Sequence, residues 1–389
     1  MKILHIINGL NDGGAEAILY QVTTGTPAIQ HIVVSLLPDG KYAKLLATNG
    51  IKVYTLNING LISLLRAPIK LRKIILESNP VIVQTWMYHS DVFGGILSRI
   101  FGVKKIIWSI HNSTLKFKQV KMSTILISRI AAILSYIVPD RIVYCAQSAR
   151  NEQEKIGYCK SRANVVTNGY DLSRYNPHGP KLNIPSLLNC DFKIGYVGRD
   201  HPHKDLQTLF RGFKKFCDAD HSATLFMCGF DFVNTNLKLI EMIHMHGLQD
   251  HVVLLGPQLE IENFYRAIDV LVLSSASEAF PNVLNEAMAC GVPCISTNVG
   301  DCRDIIGSTG WIIQPKDCDA MCKSLDLALL EKIDNGVDWE LRRQFCSKRI
   351  TDHNSKSIML SKYLDIWHGL GTAAQIKKSV QLYLSIEVY

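Results

Sequence analysis

Residues 269–293 read DVLVLSSASEAFPNVLNEAMACGVP, and they show most clearly how this chain is organised. The stretch opens on an apolar run, Val270–Leu273, whose length and composition are typical of a buried strand. A polar loop with Glu278 follows, then a helical pattern with Glu286, and Gly-Val-Pro leads into a further apolar run. This order of strand, loop, helix and strand predicts one repeat of a parallel α/β sheet.

The same alternation of short apolar runs and helical patterns continues before this stretch, and it predicts parallel strands joined by helices. The further strands expected are Ile3–Ile7, His31–Leu36, Val81–Gln84, Ile106–Ile110, Arg141–Cys145, Phe192–Val197, Ala223–Cys228 and Val252–Leu255. Ligands of doubly wound sheets bind at the carboxyl ends of the strands. Residues that directly follow a strand are therefore the first candidates for a site.

A proline-rich segment, Tyr175–Pro185, interrupts this pattern and is predicted to be a linker. We therefore predict an N-terminal domain over residues 1–178 and a C-terminal domain over residues 186–362, both Rossmann-like and doubly wound. Residues 363–389 are predicted to form a helical tail that crosses back to the first domain. A ligand site is expected in a central cleft that the two domains face.

The composition is that of an ordinary globular protein, with 47% apolar and 20% charged residues over 389 positions. Eleven cysteines without C-x-x-C spacing argue against a disulfide framework and against a zinc ribbon. The apolar start of the chain is too short for a signal peptide, and no apolar run reaches about 18 residues. We therefore expect a cytoplasmic protein.

Positive charge is concentrated in the first 180 residues, which hold 21 Lys or Arg against 9 Asp or Glu. This imbalance predicts an anionic partner, although a merely solvated basic face is the alternative. No helix-turn-helix, zinc-finger or ribonucleoprotein motif is present, so nucleic acid is not expected.

Residues 61–73 and 116–121 mix cations with apolar residues, and the second segment leads into the apolar stretch 122–138. These segments suggest peripheral docking on an anionic membrane, unless their apolar residues simply pack on the sheet.

Two cations follow the strand Phe192–Val197, namely Arg199 in Gly198-Arg199 and Lys204 just before a helix. Arginine offers forked hydrogen bonds and lysine a point charge, and the pair suits a diphosphate. An ordinary charged surface loop is the alternative.

Backbone N–H groups are candidates at two further turns. Gly13 and Gly14 lie between the first strand and a helix, where glycine lets the backbone approach an anion. Their spacing is not the G-x-G-x-x-G of nicotinamide dehydrogenases, and a structural tight turn is the alternative. Around Pro281, the N–H groups of Ala279, Phe280 and Asn282 lie at a helix start.

Glu278 and Glu286 are eight positions apart and can reach separate hydroxyl groups of one extended ligand, although Glu278 could instead serve the helix dipole.

Taken together, these motifs resemble the retaining glycosyltransferases of family 4, which have the two-domain GT-B fold. The resemblance is carried mainly by Glu-x7-Glu within residues 267–293, and Gly198-Arg199 with Lys204, Thr167–Asp171 and Gly13-Gly14 support it. It covers roughly residues 1–365.

The resemblance implies a role for each motif. In the family, the residues that correspond to Gly198, Arg199 and Lys204 hold the donor diphosphate. The residue that corresponds to Glu286 binds the nucleotide ribose. The match to Glu278 lies beside the donor sugar, and the residues near it that contact the donor are Ala279, Phe280, Pro281, Asn282 and Val283. His111, directly after a strand, matches a histidine near the reacting sugar. Gly256 and Pro257 lie in the loop that holds the nucleobase, Gly13 and Gly14 contact the donor, and no metal or other cofactor is needed.

The resemblance also implies the reaction class. The C-terminal domain would bind a nucleotide sugar, with UDP-HexNAc or UDP-hexose favoured, and the N-terminal domain would bind a saccharide acceptor. The basic N-terminal half favours a lipid-pyrophosphate-linked acceptor, as in assembly of cell-surface polysaccharide or lipopolysaccharide. Two alternatives stay open: a sugar-nucleotide epimerase of GT-B architecture, and a non-catalytic partner that binds a sugar nucleotide.

Two further features concern the details of the site. One is a departure from the family pattern, and the other is a sequence that resembles a metal site. Asp200 and Asp205 stand where relatives often carry Leu and Gly, which leaves the details of phosphate and sugar contact open. Asp218-Ala219-Asp220 has the Asp-x-Asp form of a metal site, but it follows a helix rather than a strand. We interpret it as an exposed helix end.

Overall fold

A computed structural model of the protein describes residues 1–11, 13–111, 122–188, 190–219 and 221–370. The chain divides into two compact units. The first contains residues 1–169 and the segment that starts at Lys356, and the second contains Tyr170–Ser355.

The described strands are β1 Lys2–Ile7, β2 Gln30–Ser35, β3 Lys52–Thr55, β4 Ile82–Trp86, β5 Ile106–Ile110, β6 Arg141–Tyr144, β7 Ala163–Val165, β8 Phe192–Val197, β9 Ala223–Cys228, β10 Val252–Gly256, β11 Val270–Leu273, β12 Cys294–Thr297 and β13 Trp311–Ile313. They form a seven-stranded sheet of order β3-β2-β1-β4-β5-β6-β7 and a six-stranded sheet of order β10-β9-β8-β11-β12-β13. Every pairing is parallel. In each sheet the strand order reverses once, between β1 and β4 and between β8 and β11, as in doubly wound folds.

The described α-helices are α1 Gly14–Gly25, α2 Lys41–Thr48, α3 Leu61–Ser78, α4 Tyr88–Ser90, α5 Ile96–Ile100, α6 Met122–Leu134, α7 Gln147–Lys155, α8 Pro185–Leu188, α9 Leu206–Cys217, α10 Leu237–Met245, α11 Ile261–Tyr265, α12 Asn282–Ala289, α13 Cys302–Ile306, α14 Cys318–Asp334, α15 Gly336–Asn354 and α16 Lys356–Leu370. A π-helical turn, Asp91–Gly95, separates α4 from α5, and a 3₁₀ turn, Pro202–Lys204, precedes α9. Within the described residues, no helix combines the length and the apolar character needed to cross a bilayer.

The first sheet is apolar on both faces, as a parallel sheet covered by helices requires. On β1, Leu4 and Ile6 join the core formed with α3 and α6, whereas Ile3 and Ile7 join the core formed with α1, α2 and α16. His5 lies between Ile3 and Ile7 in the alternation and therefore points to the second of these faces.

Several predicted strands coincide with the structure, among them Ile106–Ile110, Phe192–Val197, Ala223–Cys228 and Val270–Leu273. The strand predicted over Val81–Gln84 continues to Trp86. The reason is that Thr85 and Trp86 still pair with β5, which an apolar pattern does not show. The doubly wound α/β class of both sheets is confirmed.

The predicted domain boundaries are wrong by several residues. Residues 170–178 belong to the second unit, because the guanidinium of Arg266 donates to the backbone oxygens of Arg174 (2.6 Å) and Asn176 (2.9 Å). Leu182 N–H also donates to Asn263 O at 2.7 Å, so the proline-rich segment is attached to the second unit and is not a free linker.

The carboxyl-terminal boundary also differs from the prediction, because α16 begins at Lys356 in the first unit. Its buried side chains Tyr363 and Trp367 lie in the core shared with α1 and α2. The part of the predicted tail over residues 371–389 lies outside the described residues.

Candidate functional site

The predicted donor residues of the second unit gather where the strand order of its sheet reverses. Gly198-Arg199 follows β8, and the loop with Glu278 follows β11, the neighbouring strand. Because both strands are parallel, the two loops emerge at the same edge of the sheet. This is the edge at which doubly wound sheets bind their ligands.

Lys204 and Glu278 form an ion pair that joins these two loops. Lys204 Nζ lies 2.6 Å from Glu278 Oε1, and the hydroxyl of Ser275 donates to the same oxygen at 2.7 Å. A further hydroxyl, that of Ser274, donates to Lys204 O at 2.7 Å, which fixes the backbone that carries the ammonium. The side chains of Lys204 and Glu278 are 22% and 16% exposed, so both are held yet open to a ligand. An ammonium has three N–H donors, and the ion pair uses one of them.

Arg199 differs from Lys204 because it is exposed, and within the described part of the chain it makes no hydrogen bond or ion pair. A guanidinium in this state can turn both of its N–H edges toward an anion. The departures Asp200 and Asp205 do not neutralise it. Asp200 N–H donates to Asp231 Oδ2 at 2.9 Å, and the Asp205 carboxylate caps α9 by accepting from Thr208.

Glu286 lies on α12, partly exposed, and its Oε2 accepts a hydrogen bond from the Tyr265 hydroxyl at 2.9 Å. Burial raises the pKa of Glu286, and the Tyr265 bond opposes that shift. Among the described residues, Oε1 of Glu286 accepts no hydrogen bond. The carboxylate is therefore oriented by one oxygen and offers the other to a hydroxyl group of a ligand.

The loop from Glu278 to Pro281 packs closely against Gly300, a glycine that the sequence motifs do not include. Gly300 has φ +53°, and a Cβ built on it would lie 2.5 Å from the carbonyl oxygens of both Glu278 and Ala279. The next residue, Asp301, donates its N–H to Ala279 O at 3.0 Å. Any side chain at position 300 would push the loop away, because that separation is well below van der Waals contact.

The remaining predicted donor residues of this loop follow in order into α12. Phe280 and Pro281 are buried, whereas Ala279, Asn282 and Val283 are partly exposed. The Tyr170 hydroxyl donates to Asn282 Oδ1 at 2.7 Å and so fixes the first residue of α12.

Gly198 and Gly256 belong to one hydrogen-bonded edge of the second sheet. Gly198 N–H donates to Cys228 O at 3.0 Å, and Gly229 N–H donates to Gly256 O at 3.0 Å. Gly256 ends β10 with φ +66°, and Pro257 follows it. The structure therefore brings the predicted nucleobase loop to the same edge as Arg199.

His111, Gly13 and Gly14 lie in the first unit. Gly13 precedes α1 and Gly14 is its first residue, at the carboxyl end of β1. His111 follows β5 and stacks on Trp86, with ring centroids 5.2 Å apart and planes at 18°. Its Nε2 is buried, and no described residue bonds to it. Burial lowers the pKa of His111 to about 4, so at neutral pH the ring is an uncharged imidazole.

Metal-ligating side chains do not cluster in the described ranges: no three His, Cys, Asp or Glu residues there could hold an ion together. Asp218, the first acid of the Asp-x-Asp motif, ends α9 and pairs with Lys214. Its second acid, Asp220, is outside the described residues.

Several residues that shape this site carry no local sequence signal. Tyr265 and Asp231 act through contacts with residues more than 20 positions away in the chain, and Ser275 is one of several serines in its own loop, where nothing marks it as the one that bonds Glu278. Gly300 could have been found, because a glycine between a strand and a helix is the signal that pointed to Gly13.

Two protein families match the chain, one for each half. The family described as "Glycosyltransferase Family 4" matches residues 12–174, and "Glycosyl transferases group 1" matches residues 185–348. Among curated proteins, the chain is 29% identical over 194 residues to the capsular polysaccharide biosynthesis glycosyltransferase CapM of Staphylococcus aureus. That match covers 47% of this chain and only 50% of CapM.

A longer match is to the UDP-Gal:alpha-D-GlcNAc-diphosphoundecaprenol alpha-1,3-galactosyltransferase of Escherichia coli. It is 24% identical over 286 residues, covering 71% of this chain and 73% of the relative. Among solved structures, HepE of Anabaena in complex with UDP superposes with a TM-score of 0.80 at 19% identity, over 95% of this chain and 100% of HepE. The two family matches, the two doubly wound sheets and this superposition agree, and the chain belongs to glycosyltransferase family 4 with the GT-B fold.

Proposed function

We propose that the protein transfers a sugar from a nucleoside diphosphate sugar to a saccharide acceptor, with retention of the anomeric configuration. The observation that carries this proposal is the group formed by Arg199, Lys204, Glu278 and Glu286 at the carboxyl edge of β8 and β11. It combines cations for a diphosphate with oriented carboxylates for hydroxyl groups.

The charge arrangement fits the departure of a diphosphate. In the reaction, the bond between the sugar C1 and the β-phosphate oxygen breaks, and negative charge develops on that oxygen. Lys204, already held by Glu278, would offer its two remaining N–H donors to this charge, and the exposed Arg199 would turn its N–H groups toward it. Stabilisation of developing charge is usually the largest single contribution to catalysis at such sites. Glu286 would bind the ribose hydroxyls through Oε1, and Glu278 would hold both Lys204 and a sugar hydroxyl.

Retention follows when the acceptor attacks the face from which the diphosphate leaves. The acceptor oxygen forms the new bond to C1, and its proton passes to the departing β-phosphate oxygen, so no protein base is required. We further propose that His111 contacts the transferred sugar as a neutral imidazole. We assign donor contacts also to Gly13, Gly14, Gly198, Gly256, Pro257, Ala279, Phe280, Pro281, Asn282 and Val283.

The relatives support the choice of substrates. HepE binds UDP, and the E. coli relative uses UDP-Gal with an acceptor linked to diphosphoundecaprenol. We therefore favour UDP-hexose or UDP-HexNAc as donor and a lipid-pyrophosphate-linked saccharide as acceptor. The name of the S. aureus relative supports a role in cell-surface polysaccharide assembly, and lipopolysaccharide assembly is the other setting we consider.

A panel of nucleotide sugars tests this proposal, with release of free nucleoside diphosphate as the measurement and the Lys204→Ala variant as control. We expect release from one or few UDP-sugars, increased by acceptor. Conversion of the donor to its epimer without release would instead establish an epimerase. Donor binding without either reaction, with every acceptor offered, would establish a non-catalytic partner.

We also propose that the first unit docks reversibly on an anionic membrane at the cytoplasmic face, because α3 has two apolar faces. One face is buried in the core, as expected. On the other, Leu61, Leu65, Ile69 and Leu76 are each more than half exposed. The first three are four positions apart and therefore lie along one side of the helix. The exposed cations of α3 are Arg66, Lys70, Arg72 and Lys73.

Helix α6 presents a second apolar stripe from the same side of the sheet. Met122, Leu126, Ile130 and Ile133 follow a spacing of three or four residues, and all are exposed. Both helices pack on one core of the first unit, so their exposed stripes belong to one side of it. Apolar side chains flanked by cations are typical of interfacial helices. The further cations expected in this region, Lys116, Lys118 and Lys121, lie outside the described residues.

Vesicle co-sedimentation tests the docking, with neutral vesicles compared with vesicles that contain an anionic lipid. We expect binding to anionic vesicles that falls with salt and is lost in a Leu65→Ser, Ile69→Ser double variant. Leu330→Ser with Ile333→Ser is the matched control, because both residues are exposed on α14 in the second unit. Equal binding to neutral vesicles, or self-association through α3 seen by light scattering, would contradict membrane docking.

A further inference from the structure

A chain of hydrogen bonds crosses the buried face of the first sheet that α1 and α16 cover. Trp86 Nε1 lies 3.2 Å from His5 Nδ1, and His5 Nε2 lies 2.9 Å from His31 Nδ1. His31 Nε2 lies 2.8 Å from the Thr26 hydroxyl, which donates to Val22 O at 2.7 Å. His5, His31 and Trp86 are buried, so water does not compete for these bonds.

The direction of every bond in this chain follows from the indole. An indole nitrogen can only donate, so His5 Nδ1 accepts and the proton of His5 is on Nε2. That proton is donated to His31 Nδ1, and His31 must then donate from Nε2 to the hydroxyl of Thr26. Both imidazoles are therefore neutral and have one tautomer each. Burial lowers the pKa of both rings, which agrees with this assignment.

The indole that ends this chain is also the ring on which His111 stacks. Trp86 is the last residue of β4 and pairs with Ser109 of β5, and His111 lies two positions further along on the same face. The result is the stacked pair of Trp86 and His111, with planes at 18°. The single polar atom of the indole is bonded to His5, so the ring cannot turn over without breaking that bond.

We propose that Trp86, held by the chain through His5 and His31, is a positioning residue for His111. It supports one face of the imidazole and fixes the plane in which the ring presents its nitrogens. This inference rests on the proposed function, in which His111 contacts the transferred sugar. Trp86 itself touches no substrate in this proposal.

The first test compares Trp86→Phe with Trp367→Phe. Trp367 is a matched control, because its indole is buried on the same face, lies against the rings of His5 and His31 and donates to Gln84 Oε1 at 2.8 Å, yet among the described ring contacts it does not stack on His111. Each variant keeps a ring and loses one indole hydrogen bond. We expect Trp86→Phe to lower kcat at least about tenfold with the donor KM changed less than about twofold. We expect Trp367→Phe to change both by less than about twofold. Equal losses in the two variants would reduce Trp86 to a structural role.

A double-mutant cycle with His111→Ala asks whether Trp86 acts through His111. If it does, adding Trp86→Phe to His111→Ala lowers kcat no further. If the double variant instead loses kcat by the product of the two single losses, the proposal is overturned, because Trp86 would then act independently of His111.

Nuclear magnetic resonance of the protein with ¹⁵N-labelled histidine gives a readout without activity. The His111 signals are identified by their absence in His111→Ala. We expect them to shift in Trp86→Phe and to stay unchanged in Trp367→Phe. Unchanged His111 signals in Trp86→Phe would overturn the positioning role. If His111→Ala keeps full kcat while these signals shift as expected, the positioning stands and the proposed role of His111 in the reaction is what fails.

Discussion

Acid should destabilise the first unit through His31, which is buried and bonded on both ring nitrogens. Burial lowers the pKa of His31 from 6.5 to about 3. Between these values the unfolded chain binds a proton that the folded protein excludes, so the free energy of unfolding falls as the pH falls. The contribution of His31 to the free energy of unfolding is complete above about pH 7.5 and is lost progressively below about pH 6.5.

The size of this effect follows from the unfolded pKa of 6.5. At about pH 5 the unfolded histidine is almost fully protonated, and the free energy of unfolding is lower by about 2 kcal/mol than at pH 7.5. This figure holds for any folded pKa below about 4, because the folded ring is then neutral at both pH values.

Urea unfolding of the wild type and of His31→Gln at about pH 7.5 and pH 5 measures this difference. The amide of Gln can accept from His5 and donate to Thr26, as the imidazole does, but it does not titrate. We expect the wild type to lose about 2 kcal/mol more than the variant between the two pH values. Contributions from the second unit and from His111 are common to both proteins and cancel. Equal losses in the two proteins would show that His31 is not excluded from protonation by the fold.

Three further predictions concern the site and one buried acid. Lys204→Ala and Glu286→Ala should each lower kcat/KM at least about tenfold, because each removes a charge-assisted hydrogen bond to the donor. The circular dichroism spectrum should stay unchanged. A variant that keeps the wild-type kcat/KM would show that the replaced residue does not belong to the site. Transfer should continue in excess EDTA, since Arg199 and Lys204 supply the positive charge; loss of activity that Mg²⁺ restores would contradict this. Burial raises the pKa of Asp91 well above its usual range, so its stabilising proton is lost as the pH rises. Asp91→Asn should therefore lose less stability than the wild type between about pH 5 and pH 9, and equal losses in the two proteins would show that the carboxyl is already charged in the fold at pH 5.

The motifs of the second unit could be read from the sequence because each lies within one strand, one loop and one helix. Arg199, Lys204 and Glu278 are predicted as site residues in this way, since cations and carboxylates directly after strands reach the ligand edge of a parallel sheet. The boundary at residue 178 was wrong for the converse reason. Three prolines indicate an irregular backbone, but they do not show that Arg266, about 90 positions away, binds that backbone.

The order of strands and helices is a local property, and short-range apolar periodicity is enough to predict two doubly wound α/β domains, together with the sheet edge at which we expect a ligand. The contacts that orient the site are not local. Tyr265 reaches Glu286 across 21 positions, Lys204 reaches Glu278 across 74, and Trp86 reaches His5 across 81. Such pairs form because the strand order places distant residues side by side, and a buried polar atom then needs whichever partner lies there. Only the packed structure shows that Lys204 is already paired, that Arg199 has no partner among the described residues, and that His111 rests on an indole bonded to His5.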